Sequence, residues 1–272
     1  MKPVLKILLY VVLIAFALGM IFPMAWMLIL STRENPEQFT NFIDIVTSKT
    51  TFQNYTDALG SDAFGTYFLN SVIVAGAVTI GNVFFCLMCG YAFARKNFTG
   101  KEILFASILG TLMIPPQVIM IPLYRLMVEF GWINTYAALI VPWMVTPFGI
   151  FLVRQYIAGL PAEIEDAARL DGASEWYILF KIVMPLSRPI LVVLAIYAFL
   201  GNWNSFLFPF LFTNDESMRT LPVGLAFYLG KQSIDWGHLM AGAGISAIPI
   251  LILFLAFQKQ IIEGLTAGAV KE

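Results

Sequence analysis

Six long uncharged stretches constrain what this chain can fold into more than any other feature of its sequence. Each contains between 22 and 32 residues without a Lys, Arg, Asp or Glu, and together they make up more than half of the 272 residues. About 20 mostly apolar residues in a helix, rising roughly 1.5 Å each, cross the hydrocarbon core of a bilayer. Every stretch is therefore long enough to span a membrane. The stretches are residues 7–32, 63–94, 103–124, 130–153, 189–214 and 236–258.

The composition excludes an ordinary water-soluble globular domain. Hydrophobic residues make up 59% of the chain, and charged residues make up only 12%, about half of the fraction usual in soluble domains. Little sequence remains outside the spans for a second domain. We therefore predict an all-α polytopic membrane protein whose residues 1–272 form a single transmembrane domain. The six predicted spans are residues 7–30, 66–94, 103–128, 136–158, 183–212 and 239–258.

The positions of the basic residues indicate the orientation in the membrane. Six spans divide the chain into flanks that alternate between two compartments, and eleven of the sixteen Lys and Arg fall on one side. Because Lys and Arg are enriched in cytoplasmic loops, we expect that side, with both termini, to be cytoplasmic. The eleven residues are Lys2, Lys6, Arg95, Lys96, Lys101, Arg154, Arg169, Lys181, Arg188, Lys259 and Lys271.

Several kinds of chemistry are missing from the sequence. There is one histidine, and no HExxH motif or Cys/His cluster that could hold a metal, so we predict neither a catalytic nor a metal site. The nucleotide-binding pattern GxxxxGK[ST] is also absent, so any ATP must be bound by a partner. All seventeen acidic residues lie outside the six stretches, which argues against coupling to protons or sodium ions. An ion-coupled secondary transporter stays an alternative, because carbonyl and hydroxyl groups can also bind sodium.

The most informative segment lies between the fourth and fifth spans, on the basic side. Residues 161–172 predict a short helix, with Pro161 in its first turn, acidic residues near its start and Gly172 in a left-handed conformation after its last turn. Glu165 and Arg169 are spaced to form an i, i+4 ion pair. A helix of about ten residues is marginal alone in water, so this one must dock on another surface. We expect the adjacent Ala167 and Ala168 to face that surface together and to allow a close approach.

This segment resembles a known family pattern. Asp166-Ala167-Ala168, then Gly172, then Ile182-Val183-Met184-Pro185 is similar to the EAA loop of ABC importer permeases, which reads E-A-A, three residues, G, nine residues, I-x-L-P. Two residues depart from the pattern. Asp166 stands in place of Glu and keeps the negative charge, and Met184 stands in place of Leu and keeps the apolar character. Asn70-Ser71, Trp203-Asn204 and residues 265–271 also resemble the six-span MalG-type permeases of carbohydrate importers.

The resemblance implies a type I importer permease with a cytoplasmic coupling helix, in the inner cell membrane of a prokaryote. It implies a second, different permease subunit, two ATP-binding subunits that carry ATP and magnesium, and an extracytoplasmic solute-binding protein. This chain would then be a transport subunit, not an enzyme, with no cofactor of its own and no role with nucleic acid. The residues implied in coupling to the ATPases are Glu165, Asp166, Ala167, Ala168, Arg169, Asp171, Gly172 and Pro185, with Gly264, Thr266 and Gly268 in the C-terminal tail.

Polar and aromatic side chains inside the spans are candidates for a translocation path. Sugars stack on aromatic rings through their C–H faces and form hydrogen bonds through their hydroxyl groups. The candidates are Gln117, Trp143, Thr146, Asn202, Trp203, Asn204 and Ser205. We predict import of a sugar, a di- or oligosaccharide, by alternating access with energy from ATP hydrolysed by the partner subunits. A permease of the same architecture for another solute, such as glycerol phosphate, stays an alternative.

Overall fold

The computed structural model describes residues 3–36, 41–60, 62–227 and 235–266, and these are predominantly helical. Within these ranges the only β-type pairing is an isolated antiparallel bridge between Arg33 and Thr50. The predicted helical class is therefore confirmed.

The helices follow one another along the chain with short connections. Two of them are joined by a π-helical stretch, Ile178–Val183, and the short connections include 3₁₀ turns at Val141–Trp143 and Glu216–Met218. The α-helices are α1 Pro3–Ser31, α2 Phe42–Thr47, α3 Gln53–Gly60, α4 Asp62–Arg95, α5 Lys101–Thr111, α6 Met120–Glu129, α7 Tyr136–Ile140, α8 Pro147–Ala158, α9 Glu163–Leu170, α10 Glu175–Tyr177, α11 Met184–Leu186, α12 Arg188–Trp203, α13 Leu207–Phe212, α14 Leu221–Phe227 and α15 Trp236–Thr266.

Several of these helices are long and apolar enough to cross a membrane. Four segments qualify by length and hydropathy within the described residues, and a fifth qualifies if a bent pair of helices is counted as one span. The chain is therefore a multi-pass membrane protein. The four segments are Val4–Ser31, Ala63–Arg95, Tyr136–Ala158 and Trp236–Gln258, and the bent pair is Glu175–Leu186 with Arg188–Trp203.

The predicted third span, residues 103–128, is not one continuous helix. α5 ends at Thr111 and α6 begins at Met120, and Pro115 and Pro116 lie between them. A proline has no backbone N–H to donate and its ring clashes with the preceding turn, so two in succession end a helix. Each half is too short to cross a bilayer alone.

The predicted fifth span, residues 183–212, is also interrupted. The helical segments Glu175–Leu186, which overlaps its start, and Arg188–Trp203 meet at an angle of 80° at Ser187. Pro185 and Pro189 flank the bend, and each removes a helical hydrogen bond at this point.

Contacts within the chain form two compact units. The first comprises Met1–Thr66 and Val223–Pro249, and the second comprises Tyr67–Pro222 and Ile250–Glu272. In the first unit, the amide of Asn54 donates hydrogen bonds to the backbone oxygens of Ser31 and Arg33, at 3.0 and 2.9 Å. These bonds tie α3 to the end of α1.

The second unit contains a hydrophobic core around the Arg95 end of α4. Its fully buried residues include Leu87 on α4, Val153 and Ile157 on α8, and Val183 on the π-helical stretch. α4 and α8 approach each other so closely at Gly90 that a Cβ there would lie 2.8 Å from Cγ1 of Val153. A small residue at such a crossing lets two membrane helices pack backbone to backbone.

Candidate functional site

The predicted docking helix is α9, and its C-terminus has the conformation that the sequence indicates. Gly172 has φ +83°, the left-handed conformation expected of this glycine. The N–H of Ala173 donates to the carbonyl of Ala168 at 2.9 Å, and the N–H of Gly172 donates to the carbonyl of Arg169 at 3.0 Å. This pair of bonds is the Schellman motif, which satisfies the last carbonyls of a helix and turns the chain away. At the other end α9 begins at Glu163, so Pro161 lies before the helix and not in its first turn.

A buried ion pair fixes α9 to the end of α4. Glu165 is only 3% exposed, and one of its carboxylate oxygens accepts a hydrogen bond from Nε of Arg95 at 2.6 Å. The other oxygen lies 3.3 Å from the hydroxyl of Tyr91 and 3.4 Å from Nη2 of Arg169. Arg95 also donates through Nη2 to the carbonyl of Leu160 at 2.7 Å. The loop is therefore attached to the last turn of α4 at two places.

A second set of ion pairs surrounds this anchor at the surface. Arg169 contacts Asp166 at 2.7 Å and Glu175 at 3.1 Å, while Lys96 contacts Glu175 at 2.5 Å. The hydrogen bond that Arg169 donates to the carboxylate of Glu175 raises the pKa of Arg169 above its usual value, so this guanidinium stays charged. Single exposed pairs contribute little to stability, but together these connect both sides of the loop.

The two alanines of the motif point in different directions. Ala168 packs inward against the core at the end of α4, whereas Ala167 is exposed. The expectation that both face a partner together is therefore wrong, because two adjacent helical positions lie about 100° apart around the axis. The outward face of α9 consists of Ala167, Ile164, which is 41% exposed, and Leu170, which is 90% exposed.

The residues that the sequence predicts to couple to the ATP-binding subunits therefore divide into two groups. Glu165 and Ala168 hold α9 in place from the inside. The exposed members surround the apolar face of α9 or follow it along the chain, and they are Asp166, Ala167, Arg169, Asp171, Gly172 and Pro185.

Substituting Gly172 by valine should disturb the loop without any steric clash. No atom lies within 4 Å of a Cβ built at Gly172, so the cost is the left-handed backbone, roughly 1 kcal/mol or more for a β-branched residue. We expect normal amounts of the chain in membranes and less co-purification of the ATP-binding subunits that the sequence predicts as partners. Gly172→Asn is the control, because asparagine tolerates this conformation. Equal binding by both variants would contradict the prediction.

The path candidates of the fourth span, Trp143 and Thr146, lie where the helix is interrupted between α7 and α8. Thr146 caps α8 by accepting a hydrogen bond from the N–H of Gly149 at 3.2 Å. The ring of Trp143 packs against Phe208, with 4.7 Å between the ring centroids. Both residues contact Asn82 of α4, which sequence reasoning missed.

The other path candidates are dispersed. Trp203 is 2% exposed and packs against Phe68 and Phe199, so its ring is part of the core. The amides of Asn202 and Asn204 donate back to carbonyls of their own helix at 2.8 and 2.9 Å. Ser205 is half-buried next to them, and Gln117 is exposed between α5 and α6. In the tail, α15 continues through Gly264 and Thr266, and Gly268 lies outside the described residues.

Residues 83–266 match the family described as binding-protein-dependent transport system inner membrane component. This chain belongs to that family. It is 38% identical to the arabinooligosaccharides transport system permease protein AraQ of Halalkalibacterium halodurans, over 99% of this chain and 98% of that protein. It is 37% identical to the trehalose/maltose transport system permease protein MalG of Thermococcus litoralis, over 98% and 97% of the two chains.

Solved structures share the fold. A crystal structure of a bacterial ABC transporter that imports the acidic polysaccharide alginate contains a chain with a TM-score of 0.83 and 22% identity, covering 95% of this chain and 96% of that one. The family match begins within α4 and includes the whole of α8 and α9, so it contains both partners of the Arg95–Glu165 pair.

A second polar cluster of this chain lies towards the other end of α4, away from Arg95. The amide of Asn70 on α4 donates to the carbonyls of Ser217 and Arg219 at 2.8 and 2.9 Å, and its oxygen accepts from the hydroxyl of Tyr136 at 2.6 Å. The hydroxyl of Ser71 accepts a bond from the N–H of Leu221 at 2.7 Å. The sequence singled out Asn70-Ser71 by resemblance only. Their role is to hold the segment that follows α13.

Substituting Asn70 by leucine should release that segment. Asn70 is 2% exposed, and its loss leaves three polar groups without their partner, at about 1–3 kcal/mol for each one that stays buried. We expect faster trypsin cleavage after Arg219 in the detergent-purified protein, measured by mass spectrometry. Asn202→Leu is the matched control, because the hydrogen bond described for the Asn202 amide goes to a carbonyl of its own helix. Cleavage as slow as in the control would refute the role of Asn70.

Proposed function

We propose that this chain is the permease subunit of an ATP-driven importer that moves a di- or oligosaccharide across the inner membrane. The observation that supports this most directly is α9. It is a short helix, anchored through buried Glu165 to α4, and it presents exposed Ile164 and Leu170 among acidic side chains. An apolar face on a loop between spans suits a protein partner, and the acidic side chains disfavour anionic lipid in that place.

In this proposal six segments cross the membrane, with both termini and α9 in the cytoplasm. The segment with α5 and α6 counts as one broken span. The segment with α11, α12 and α13 counts as another. Broken helices are usual in transporters where the backbone lines a cavity or contacts other protein. The distribution of Lys and Arg supports the orientation.

The proposed partners occupy different faces. Two ATP-binding subunits, which carry ATP and magnesium, bind α9 and the C-terminal tail. A second, different permease subunit and lipid cover the apolar helices, among them α1, whose membrane-spanning window has no buried residue within this chain. A solute-binding protein delivers the sugar on the opposite side. One of the similar solved structures, with a TM-score of 0.62, is described as an alginate ABC transporter in complex with a pentasaccharide-bound periplasmic protein.

The solute class is inferred from the relatives, whose printed names include arabinooligosaccharides and trehalose/maltose. Alternating access would expose a path within the membrane first to the binding protein and then to the cytoplasm. Among the path candidates, Gln117 and Asn204 are exposed in this conformation, and Trp203 is buried.

The experiment is reconstitution of the chain with the products of its neighbouring genes. The complex should contain an ATPase, and proteoliposomes should take up at least one of radiolabelled maltose, trehalose and arabinotriose in the presence of ATP and the binding protein. Substituting the nucleotide-binding lysine of the ATPase should abolish uptake, and ionophores should leave it unchanged. Uptake by the chain alone under an ion gradient would show instead that it is a secondary transporter.

A further inference from the structure

The fourth span is interrupted inside the membrane at residues 141–146. α7 ends at Ile140, a 3₁₀ turn covers Val141–Trp143, and α8 begins at Pro147. In a continuous helix the N–H of residue 147 would donate to the carbonyl of residue 143. Pro147 has no N–H, and a proline also disfavours a helical conformation in the residue before it. Thr146 accordingly has an extended backbone, with φ −127° and ψ 141°, and the carbonyl of Trp143 loses its helical donor.

Asn82 supplies the missing donor from the neighbouring helix. Its Nδ2 lies 3.1 Å from the carbonyl oxygen of Trp143 and 3.3 Å from Oγ1 of Thr146, and its Oδ1 accepts from the same hydroxyl at 3.4 Å. Asn82 is 1% exposed. It lies three residues, about 5 Å, from the midpoint of the candidate span Ala63–Arg95, and an unpaired carbonyl is costly in the interior of a membrane protein.

The contact between α4 and the start of α8 next to the break is closely packed. A Cβ at Gly149 would lie 2.6 Å from Sγ of Cys86, 2.9 Å from Oγ1 of Thr146 and 3.0 Å from Oδ1 of Asn82. The thiol of Cys86 is itself fully buried, and it lies 3.7 Å from the carbonyl oxygen of Thr146. Asn82, Cys86, Thr146 and Gly149 therefore form one closely packed contact between α4 and the start of α8.

We propose that Asn82 is a positioning residue for translocation. Its amide replaces the backbone donor that Pro147 lacks and so keeps the fourth span broken at residues 141–146. The break holds Trp143 against Phe208 of α13, and the solute moves only when the span is broken in this way. A straight, fully hydrogen-bonded fourth span would be stable but would not transport. The inference rests on the proposed function for its uptake measurement only.

The position of the break is tested by labelling Cys86 with N-ethylmaleimide in membranes that contain the assembled complex. Cys89→Ser leaves Cys86 as the only thiol of this chain. We expect slow labelling with Asn82 present and labelling at least about tenfold faster in Asn82→Leu, since the unpaired carbonyl admits water. In Asn82→Leu/Pro147→Ala the backbone N–H of residue 147 satisfies the carbonyl, so labelling should be slow again. Equal labelling rates with and without Asn82 would overturn the proposal.

The need for the break is tested with Pro147→Ala alone. This variant keeps Asn82 and restores the backbone donor, so it should assemble with the ATPase as the wild type does. We expect its uptake of the sugar that the wild-type complex imports to fall at least tenfold. Wild-type uptake, or failure to assemble, would each refute the proposal. If the wild-type complex imports none of the three sugars, the proposed function fails, and the labelling of Cys86 still decides whether Asn82 holds the break.

Discussion

Replacing Arg95 by methionine should reduce transport at least tenfold while the chain still inserts into the membrane. The substitution leaves the carboxylate of Glu165, 3% exposed, without its partner at 2.6 Å. Removing one member of a buried ion pair costs about 3–5 kcal/mol, and the low end applies because Tyr91 and Arg169 still lie near the carboxylate. The carbonyl of Leu160 also loses a donor. The loop containing α9 should therefore detach from α4.

The measurements are the amount of chain in membranes, co-purification of the ATPase and uptake of sugar. We expect unchanged amounts of chain, and co-purification and uptake that are reduced at least tenfold. Lys96→Met is the matched control, because the adjacent Lys96 makes an exposed pair with Glu175 and a cation–π contact with the ring of Tyr91, and their loss should have a small effect. Normal uptake by Arg95→Met would show that the loop does not depend on this anchor.

A double substitution separates the loss of the pair from the loss of charge. In Arg95→Met/Glu165→Leu no buried carboxylate remains unpaired, and replacing a buried ion pair by apolar side chains is often neutral. We expect the double variant to recover part of the uptake lost in Arg95→Met. If the double variant were as inactive as the single one, Arg95 itself would be required, and the explanation from the unpaired carboxylate would be wrong.

Replacing Gly90 by leucine should separate α4 from α8. A Cβ at Gly90 would lie 2.8 Å from Cγ1 of Val153 and 3.0 Å from the backbone N of Arg154, and a backbone atom cannot move aside by rotating a side chain. Overpacking of this kind costs about 1–3 kcal/mol or more, and here it also shifts the helix end that carries Arg95. We expect a lower midpoint of thermal unfolding in detergent and less ATPase co-purification.

The control for Gly90→Leu is Gly76→Leu in the same helix. No atom lies within 4 Å of a Cβ at Gly76 within this chain, so the substitution adds the same side chain without a clash. Equal thermal stability of the two variants would show that the close approach at Gly90 is not required.

The conformation of the loop around α9 was predictable from the sequence where the physics is local. The left-handed Gly172 and the pair of Glu165 with Arg169 each depend on residues within four positions of one another, and both are present. The start of α9 and the common direction of Ala167 and Ala168 were predicted incorrectly. α9 begins at Glu163, and adjacent helical residues point about 100° apart, so that only Ala168 of the two alanines packs against the core at the end of α4.

The sequence alone determined that the chain is helical and crosses the membrane several times, because uncharged stretches longer than 20 residues have few other stable states in a bilayer. Only the tertiary structure decided which polar groups meet. Arg95 with Glu165 and Asn82 with Trp143 are separated by 70 and 61 residues. No local pattern links such pairs, since each polar group must find a partner within the membrane protein and many positions could supply one. The break at Pro147 was encoded in the sequence, but the residue that stabilises it was not recognisable there.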